Sequence, residues 1–220
     1  MHASIRAAVF DLDGLMFDTE ALFFRVSSDM LAARGKRFSP EIMRAMIGRR
    51  SVDAGHVLKT MTGLDEPVEV LLADVRQRFF AEVDTAVHPA PGLFALLDRL
   101  RQNSLPLAVA TSSRRAYAER LLTQHGLRDR FNFVLGAEDV FHGKPDPEIY
   151  TRSIERLGVP AACVMVLEDS PAGVAAGLKA GALVVGVPHE HSPAEALGEA
   201  DLVVSRLDDP AVFGLIQNPN

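Results

Sequence analysis

The sequence predicts an α/β protein with a doubly wound parallel sheet and a small α-helical domain inserted after the first strand. From residue 93 onward, short apolar runs alternate with amphipathic helical stretches, which is the pattern of a parallel sheet covered by helices. Residues 19–87 show helical periodicity and no convincing strand. Several of the apolar runs end in acidic or hydroxyl side chains, as expected where ligands bind at the carboxyl ends of parallel strands.

Length and composition limit the possible functions. The chain has 220 residues, enough for one core and a small second domain. Its net charge of −6 argues against nucleic acid or an anionic membrane surface as a partner. No apolar run is long enough to cross a bilayer. We expect no signal peptide, because the first strand begins near Ile5, and the lone Cys163 favours a cytoplasmic location.

The first strand, residues 5–10, ends in an acidic turn. Asp11 and Asp13 lie two residues apart, so in an extended segment both carboxylates point to the same side. Gly14 lets the chain turn away without covering them. Two neighbouring acids repel each other unless a cation neutralises them, and Mg²⁺ suits such an all-oxygen site. The alternative is a solvated polar turn.

Four helices follow the acidic turn. Ser39 is predicted to cap the second of them, with Pro40 at its first position. The predicted helices cover residues 20–35, 40–47, 51–62 and 67–83. The Pro- and Gly-rich connector at residues 88–92 predicts a domain boundary. We therefore expect a core of residues 1–18 and 88–220 and a helical cap of residues 19–87.

The second half of the chain completes the predicted sheet. Its helices are each bounded by a capping residue or a glycine. They are predicted at residues 93–102, 114–125, 146–157 and 170–180, and the strands at 105–110, 133–135, 164–167, 183–187 and 202–204.

Two later segments carry groups that suit an anion. Thr111 and Ser112 follow the second strand at a helix start, where hydroxyls and free N–H groups bind anions. Alternatively, Ser112 or Ser113 simply caps that helix. Lys144 lies between a glycine and a proline, where it can place a point charge on a phosphate or remain solvated.

Glu168 and Asp169 end a strongly apolar strand. They are candidate cation ligands, or first-turn acids that favour the helix dipole. A cation site and an anion site on one sheet edge suit phosphoryl transfer. Asp11 could then attack phosphorus as a nucleophile, while Asp13 protonates the leaving oxygen and later deprotonates water.

Four motifs in this order resemble the haloacid dehalogenase-like hydrolases, in the branch with a helical cap after the first strand. The resemblance covers essentially the whole chain. The motifs are Asp11–Thr19, Ala110–Ser112, Gly143–Pro147 and Leu167–Ser170.

The resemblance implies a role for each acid. Asp11 is the phosphorylated nucleophile and a metal ligand. Asp13 is the acid/base and binds Mg²⁺ through its backbone carbonyl. Asp169, with Glu168 beside it, completes the metal site.

The resemblance also implies where the substrate lies. Thr111, Ser112 and Lys144 hold the phosphate. The cap opens and closes over a small phosphorylated metabolite, and Arg49 and Arg50 form a candidate substrate loop, the alternative being two solvated arginines.

Within the family, the sequence resembles phosphatases of sugar or nucleoside monophosphates, including the pseudouridine-5'-phosphatase type, and β-phosphoglucomutase. Such mutases carry a histidine where this chain has Phe23 and a cap arginine where it has Ser51, which argues against mutase chemistry. Dehalogenases of the family lack the second aspartate, which is present here as Asp13, and this argues against dehalogenation. A phospho-accepting receiver module is a further alternative. In receivers, however, the phosphorylated aspartate lies on an internal strand and not on the first, and there is no helical insertion.

The sequence therefore predicts a Mg²⁺-dependent phosphatase that works through an aspartyl-phosphate. A monomer or a weak homodimer is expected.

Overall fold

A computed structural model describes residues 4–47, 49 and 51–216. Within them, six strands form one parallel sheet in the order β3-β2-β1-β4-β5-β6. The predicted doubly wound sheet is confirmed. The strands are β1 Ala7–Phe10, β2 Leu107–Ala110, β3 Phe133–Leu135, β4 Val164–Glu168, β5 Leu183–Gly186 and β6 Leu202–Val203.

The helices lie close to their predicted positions. They are α1 Thr19–Ala32, α2 Pro40–Met46, α3 Ser51–Thr62, α4 Val68–Ala86, α5 Leu93–Gln102, α6 Arg115–Gln124, α7 Glu148–Leu157, α8 Pro171–Lys179 and α9 Pro210–Leu215. As predicted, Ser39 caps α2 by accepting a hydrogen bond from the Ile42 N–H. The prediction stopped α4 three residues early and missed α9, which Asp209 caps.

Alternate residues of the strands point to opposite faces of the sheet, so the core has two layers. Val9 of β1 packs with α7 and α8, whereas Phe10 packs with α5 and α6. All four residues of β1 and of β2 are buried. This explains why both strands are continuous apolar runs rather than alternating ones.

Helices α1 to α4, here called the cap helices, lie between β1 and β2. Arg34, after α1, joins them by ion pairs with Glu66 and Asp74, at 2.7 Å each. In residues 19–47, 49 and 51–86 the structure contains helices and connecting turns and no strand. This supports our proposal that residues 19–87 form the cap, and that residues 1–18 and 88–220 form the core.

The strand order reverses beside β1. β2 and β3 lie on one side of it, and β4 to β6 lie on the other. Open parallel sheets bind ligands at such a reversal, outside the carboxyl ends of the strands. Asp11, Thr111 and Asp169 all follow strands that end there. Among the described residues, no helix is both long and apolar enough to span a membrane.

Candidate active site

The turn after β1 brings Asp11 and Asp13 to the edge of the sheet. Gly14 adopts a φ of +84°, in the left-handed region that favours glycine. A Cβ there would lie 2.1 Å from the Asp169 Oδ2. Glycine is therefore needed twice, for the turn and for the close approach of a carboxylate from the end of β4.

Lys144 connects the ends of three strands. Its ammonium donates to Asp11 Oδ1 at the end of β1, to the Ala110 carbonyl of β2 at 3.2 Å, and to Glu168 Oε1 of β4 at 2.5 Å. Burial alone would lower the pKa of Lys144, but the Asp11 and Glu168 carboxylates raise it well above its ordinary value. Lys144 is therefore a permanent positive charge, although its side chain is only 2% exposed.

Both oxygens of the Glu168 carboxylate accept hydrogen bonds from protein groups. Oε1 accepts from Lys144 and, at 2.5 Å, from the Tyr150 hydroxyl. Oε2 accepts from the N–H groups of Asp169 and Ser170 and from the Ser170 hydroxyl. This geometry does not favour the predicted role of Glu168 as a direct metal ligand, and that role stays a prediction. Its observed role is to hold Lys144.

Three hydroxyl groups hold the Asp13 carboxylate. Oδ2 accepts from Ser113 at 2.6 Å and from Thr111 at 3.4 Å, and Oδ1 accepts from Tyr117 at 3.1 Å. Burial and the Asp13 charge raise the pKa of Tyr117 far above its ordinary value, so this hydroxyl remains a donor. Asp13 is thus aimed toward α6, whereas Asp11 is aimed toward Lys144.

The start of α6 differs from the interpretation in which a serine caps it. The N-cap position is Arg114, without a side-chain cap, and the Arg115 N–H donates to the Glu138 carboxylate at 3.2 Å. The alternative in which Ser112 or Ser113 caps this helix is therefore wrong, because the Ser113 hydroxyl binds Asp13 instead. Ser112 lines the cavity described below.

Asp169 meets two groups that sequence reasoning missed. His189 Nε2 lies 3.0 Å from Asp169 Oδ2 and 3.7 Å from Glu20 Oε2. Burial, together with the Asp169 charge, raises the pKa of Glu20 to about 9. Burial and the neighbouring Glu168 likewise raise the pKa of Asp169 well above its ordinary value.

These carboxyl groups are short of positive charge. Burial raises the pKa of Asp11 well above its ordinary value, although the Lys144 ammonium opposes this. Glu20 Oε2 is buried without a hydrogen-bond partner among the described residues. Among the residues that the structure describes, the cationic groups in contact with these acids are Lys144 and, when protonated, His189. A donor set of crowded oxygens of this kind fits a divalent cation such as Mg²⁺.

A cavity of about 550 Å³ lies between this sheet edge and the cap helices. Its floor includes Asp11, Asp13 and Asp169. Arg49 also lines it and is exposed, with its Nε donating to the Ala45 carbonyl at 2.8 Å. Arg50, the other predicted substrate arginine, lies outside the described residues.

Tyr117 also touches the cap. Its ring packs edge-on against Phe79 and Phe80 of α4, at centroid distances of 6.1 and 5.6 Å. On the same two helices, Arg120 pairs with Asp84. Helix α6 therefore contacts both the Asp13 carboxylate and a cap helix.

The missed residues carried weak signals in the sequence. Glu20 and Tyr117 lie in the first turns of helices that follow site strands, and helical side chains lean toward the N-terminus. His189 follows the carboxyl end of β5, beside β4. Tyr150 gave no usable signal, because its position in an amphipathic helix predicts core packing alone.

The fold and this constellation define a hydrolase-type site at the edge of a doubly wound sheet. The family model described as haloacid dehalogenase-like hydrolase matches residues 8–187, most of the chain. The chain belongs to this family and is an enzyme of it, which confirms the resemblance inferred from its motifs.

Similar proteins span the chain almost completely. The validoxylamine A 7'-phosphate phosphatase of Streptomyces hygroscopicus is 34% identical, over 93% of this chain and 95% of the relative. The phosphorylated carbohydrates phosphatase of Thermotoga maritima is 31% identical, over 90% and 93%. A crystal structure of a family hydrolase from Deinococcus radiodurans, with bound phosphate and sodium, has a TM-score of 0.78 and 29% identity, covering 99% of this chain and 100% of that one.

The contact between α8 and Glu168 yields a first prediction, for Gly173→Ala. A Cβ at Gly173 would lie 1.8 Å from Glu168 Oε1, so the carboxylate must leave Lys144 or the helix must shift. Overpacking of this kind costs about 1–3 kcal/mol, and we expect at least this loss in the free energy of unfolding, measured in urea.

The matched control is Gly214→Ala in α9, where a Cβ would meet nothing within 4 Å. It should be neutral or stabilising by up to about 1 kcal/mol. Equal stability of the two variants would show that α8 does not depend on close packing against Glu168.

Proposed function

We propose that this hydrolase is a Mg²⁺-dependent phosphatase of a small phosphorylated metabolite, a sugar or nucleoside monophosphate, working through an aspartyl-phosphate. The observation that carries the proposal is the convergence of Asp11, Asp13 and Asp169 on the floor of one cavity, with the Lys144 ammonium bonded to Asp11 beneath it. Two relatives with over 30% identity are named phosphatases, one of validoxylamine A 7'-phosphate and one of phosphorylated carbohydrates, which supports the same reaction class.

In the proposed first step, a carboxylate oxygen of Asp11 attacks phosphorus. The phosphorus–oxygen bond to the alcohol breaks as the acyl phosphate forms. Lys144 holds Asp11 through Oδ1 and keeps a positive charge beside the incoming phosphate. The proton required by the leaving alkoxide comes from Asp13.

In the second step, Asp13 takes a proton from water. The resulting hydroxide attacks phosphorus, and the bond to Asp11 breaks to release inorganic phosphate and regenerate the carboxylate. Ser113, Thr111 and Tyr117 keep the Asp13 carboxylate in one orientation between these two events.

The residues that would hold Mg²⁺ are Asp11, the Asp13 backbone carbonyl and Asp169. When bound, the ion reduces the repulsion between the anionic nucleophile and the anionic phosphate. His189 supports this arrangement from behind by its contact with Asp169. Thr111, Ser112 and Lys144 remain the proposed phosphate ligands, with the Thr111 hydroxyl already shared with Asp13 and the Ser113 N–H.

The mutase alternative is less well supported. Phe23 lines the cavity at the position where such mutases carry a histidine, and its ring can neither hold nor transfer a proton. Arg49 lies at the cavity edge, where it could contact a substrate. Cytoplasmic location and a monomeric or weakly dimeric state stay predictions.

The test of the proposed function is release of inorganic phosphate from a panel of phosphorylated metabolites with Mg²⁺. Excess chelator should abolish release, because Mg²⁺ is needed to reduce the repulsion between the carboxylate and the phosphate. Asp11→Asn should also abolish release, because it removes the nucleophile. Asp129→Asn, an exposed acid-to-amide change remote from the site, is the matched control and should retain full activity. Full turnover in chelator would refute the cation role, and full turnover of Asp11→Asn would refute the nucleophile.

Asp13→Asn separates acid/base catalysis from metal binding. The amide keeps the backbone carbonyl but cannot supply a proton, so turnover of alkyl phosphates should fall by about 10²–10⁴-fold. Aryl phosphates, whose leaving groups need less protonation, should lose much less. Equal losses for aryl and alkyl phosphates would mean that Asp13 serves the metal site or the structure only.

Tyr117→Phe tests the hydroxyl contact with Asp13. The phenylalanine ring keeps the packing against Phe79 and Phe80 and removes one charge-assisted hydrogen bond, so kcat should fall about tenfold with little change in KM. A double-mutant cycle identifies the route: in Asp13→Asn, the second change should have no further effect. Additive losses would show that Tyr117 acts on something other than Asp13.

A further inference from the structure

The cavity above the site has two walls of different chemistry. The wall formed by the sheet edge carries Asp11, Asp13 and Asp169, which the proposed reaction uses. The opposite wall, formed by the cap helices, is mainly apolar among the described residues, although Thr19, Glu20, Ser51 and Arg76 of the same helices also line the cavity. Its side chains include Phe23, Met46, Ile47, Leu72, Val75 and Phe79.

Among the described residues, the arginines that line the cavity are all exposed. Two of them have protein partners: Arg120 pairs with Asp84, and the Nε of Arg49 donates to the Ala45 carbonyl. Arg76 and Arg114 are the others. Such exposed charges attract an anionic substrate toward the opening.

This division determines what can fit beyond the phosphate. A polyol pressed against the apolar wall would lose its hydrogen bonds to water without replacing them, which is unfavourable for every hydroxyl buried. An aromatic ring buries a large area there and gains contacts with Phe23 and Phe79. Most ligand pockets combine such an apolar wall with few polar groups.

On the basis of the proposed phosphatase function, we infer that the alcohol part of the substrate carries an aromatic ring or a comparable apolar group, and is not a bare polyol. The phosphate meets the sheet edge, and the apolar group lies against the cap helices. Of the two substrate kinds proposed above, a nucleotide with its flat base therefore fits better than a sugar phosphate.

The test compares two primary alkyl phosphates, so that leaving-group chemistry is matched. The probes are 3-phenylpropyl phosphate and glucose 6-phosphate. We expect kcat/KM to favour the phenyl ester by at least about tenfold. Equal values, or a preference for glucose 6-phosphate, would overturn the inference while leaving the phosphatase in place.

A pair of valines on one helix locates the effect. Val75 of α4 lines the cavity, whereas Val70 of the same helix is 46% exposed and does not line it. Val75→Thr should raise KM for the phenyl ester about threefold to tenfold, and KM for glucose 6-phosphate should not rise with it. Val70→Thr should change neither. Ile47→Thr, on another cap element, repeats the test should Val75→Thr prove unstable.

A binding measurement tests the apolar site independently of the proposed phosphatase activity. Calorimetry on the wild-type protein would use 3-phenylpropylphosphonate and the 6-phosphonate analogue of glucose. The phenyl compound should bind more tightly and with a negative heat-capacity change. The same preference without phosphate release from any ester would refute the phosphatase and retain the apolar site. Equal binding of the two phosphonates would overturn the inference.

Discussion

The buried ammonium of Lys144 is the interaction on which the site depends. It joins groups from β1, β2 and β4, so the ends of three strands that are distant in sequence share one positive charge. A buried charge is tolerated only when its partners surround it, and here Asp11 and Glu168 do so. The further hydrogen bonds from Tyr150 and Ser170 to Glu168 then serve to keep that counter-charge in place. Glu168 and Asp11 are thus coupled through one ammonium group.

The second carboxylate is organised on a different principle. Asp13 makes its contacts with neutral hydroxyls and not with a cation. One of them belongs to Tyr117, whose ring touches α4, and Arg120 of the same helix α6 pairs with Asp84 of α4. A movement of α4 relative to α6 would therefore disturb the orientation of Asp13 while leaving Asp11 fixed by Lys144. Asp11, the proposed nucleophile, is anchored to the sheet, whereas Asp13, the proposed acid/base, is connected through Tyr117 to the cap helices.

Sequence reasoning located the parts of the site that follow from strand geometry. Asp11, Thr111 and Asp169 each follow an apolar run, and the rule that parallel strands end at one edge places them together without coordinates. It missed Glu20, Tyr117 and Tyr150, which reach the site from inside helices, and His189, which follows β5. Tyr117 reads as one more half-buried aromatic residue, and Tyr150 as core, because periodicity cannot tell a buried hydroxyl with a partner from a packed ring.

The start of α6 was misjudged for a related reason: the Glu138 carboxylate that accepts a hydrogen bond from the Arg115 N–H is more than twenty residues away in sequence. The missed α9 did carry a signal, since Asp209 and Pro210 form a capping pair like Ser39 and Pro40, but its six residues are too few for helical periodicity to show.

The placement of the two tyrosines gives the protein an intrinsic optical reporter. The chain contains no tryptophan and only Tyr117 and Tyr150, and each hydroxyl donates to a site carboxylate, Asp13 and Glu168 respectively. Tyrosine emission therefore arises entirely from two rings at the site. Tyrosine fluorescence is quenched when the hydroxyl is bound to a carboxylate, so an event that frees either hydroxyl would brighten the protein without any label. Since Tyr150 is buried beside Lys144 and Tyr117 lies against the cap helices, removing one ring at a time would separate the signal of the Lys144 side of the site from that of the side in contact with the cap helices.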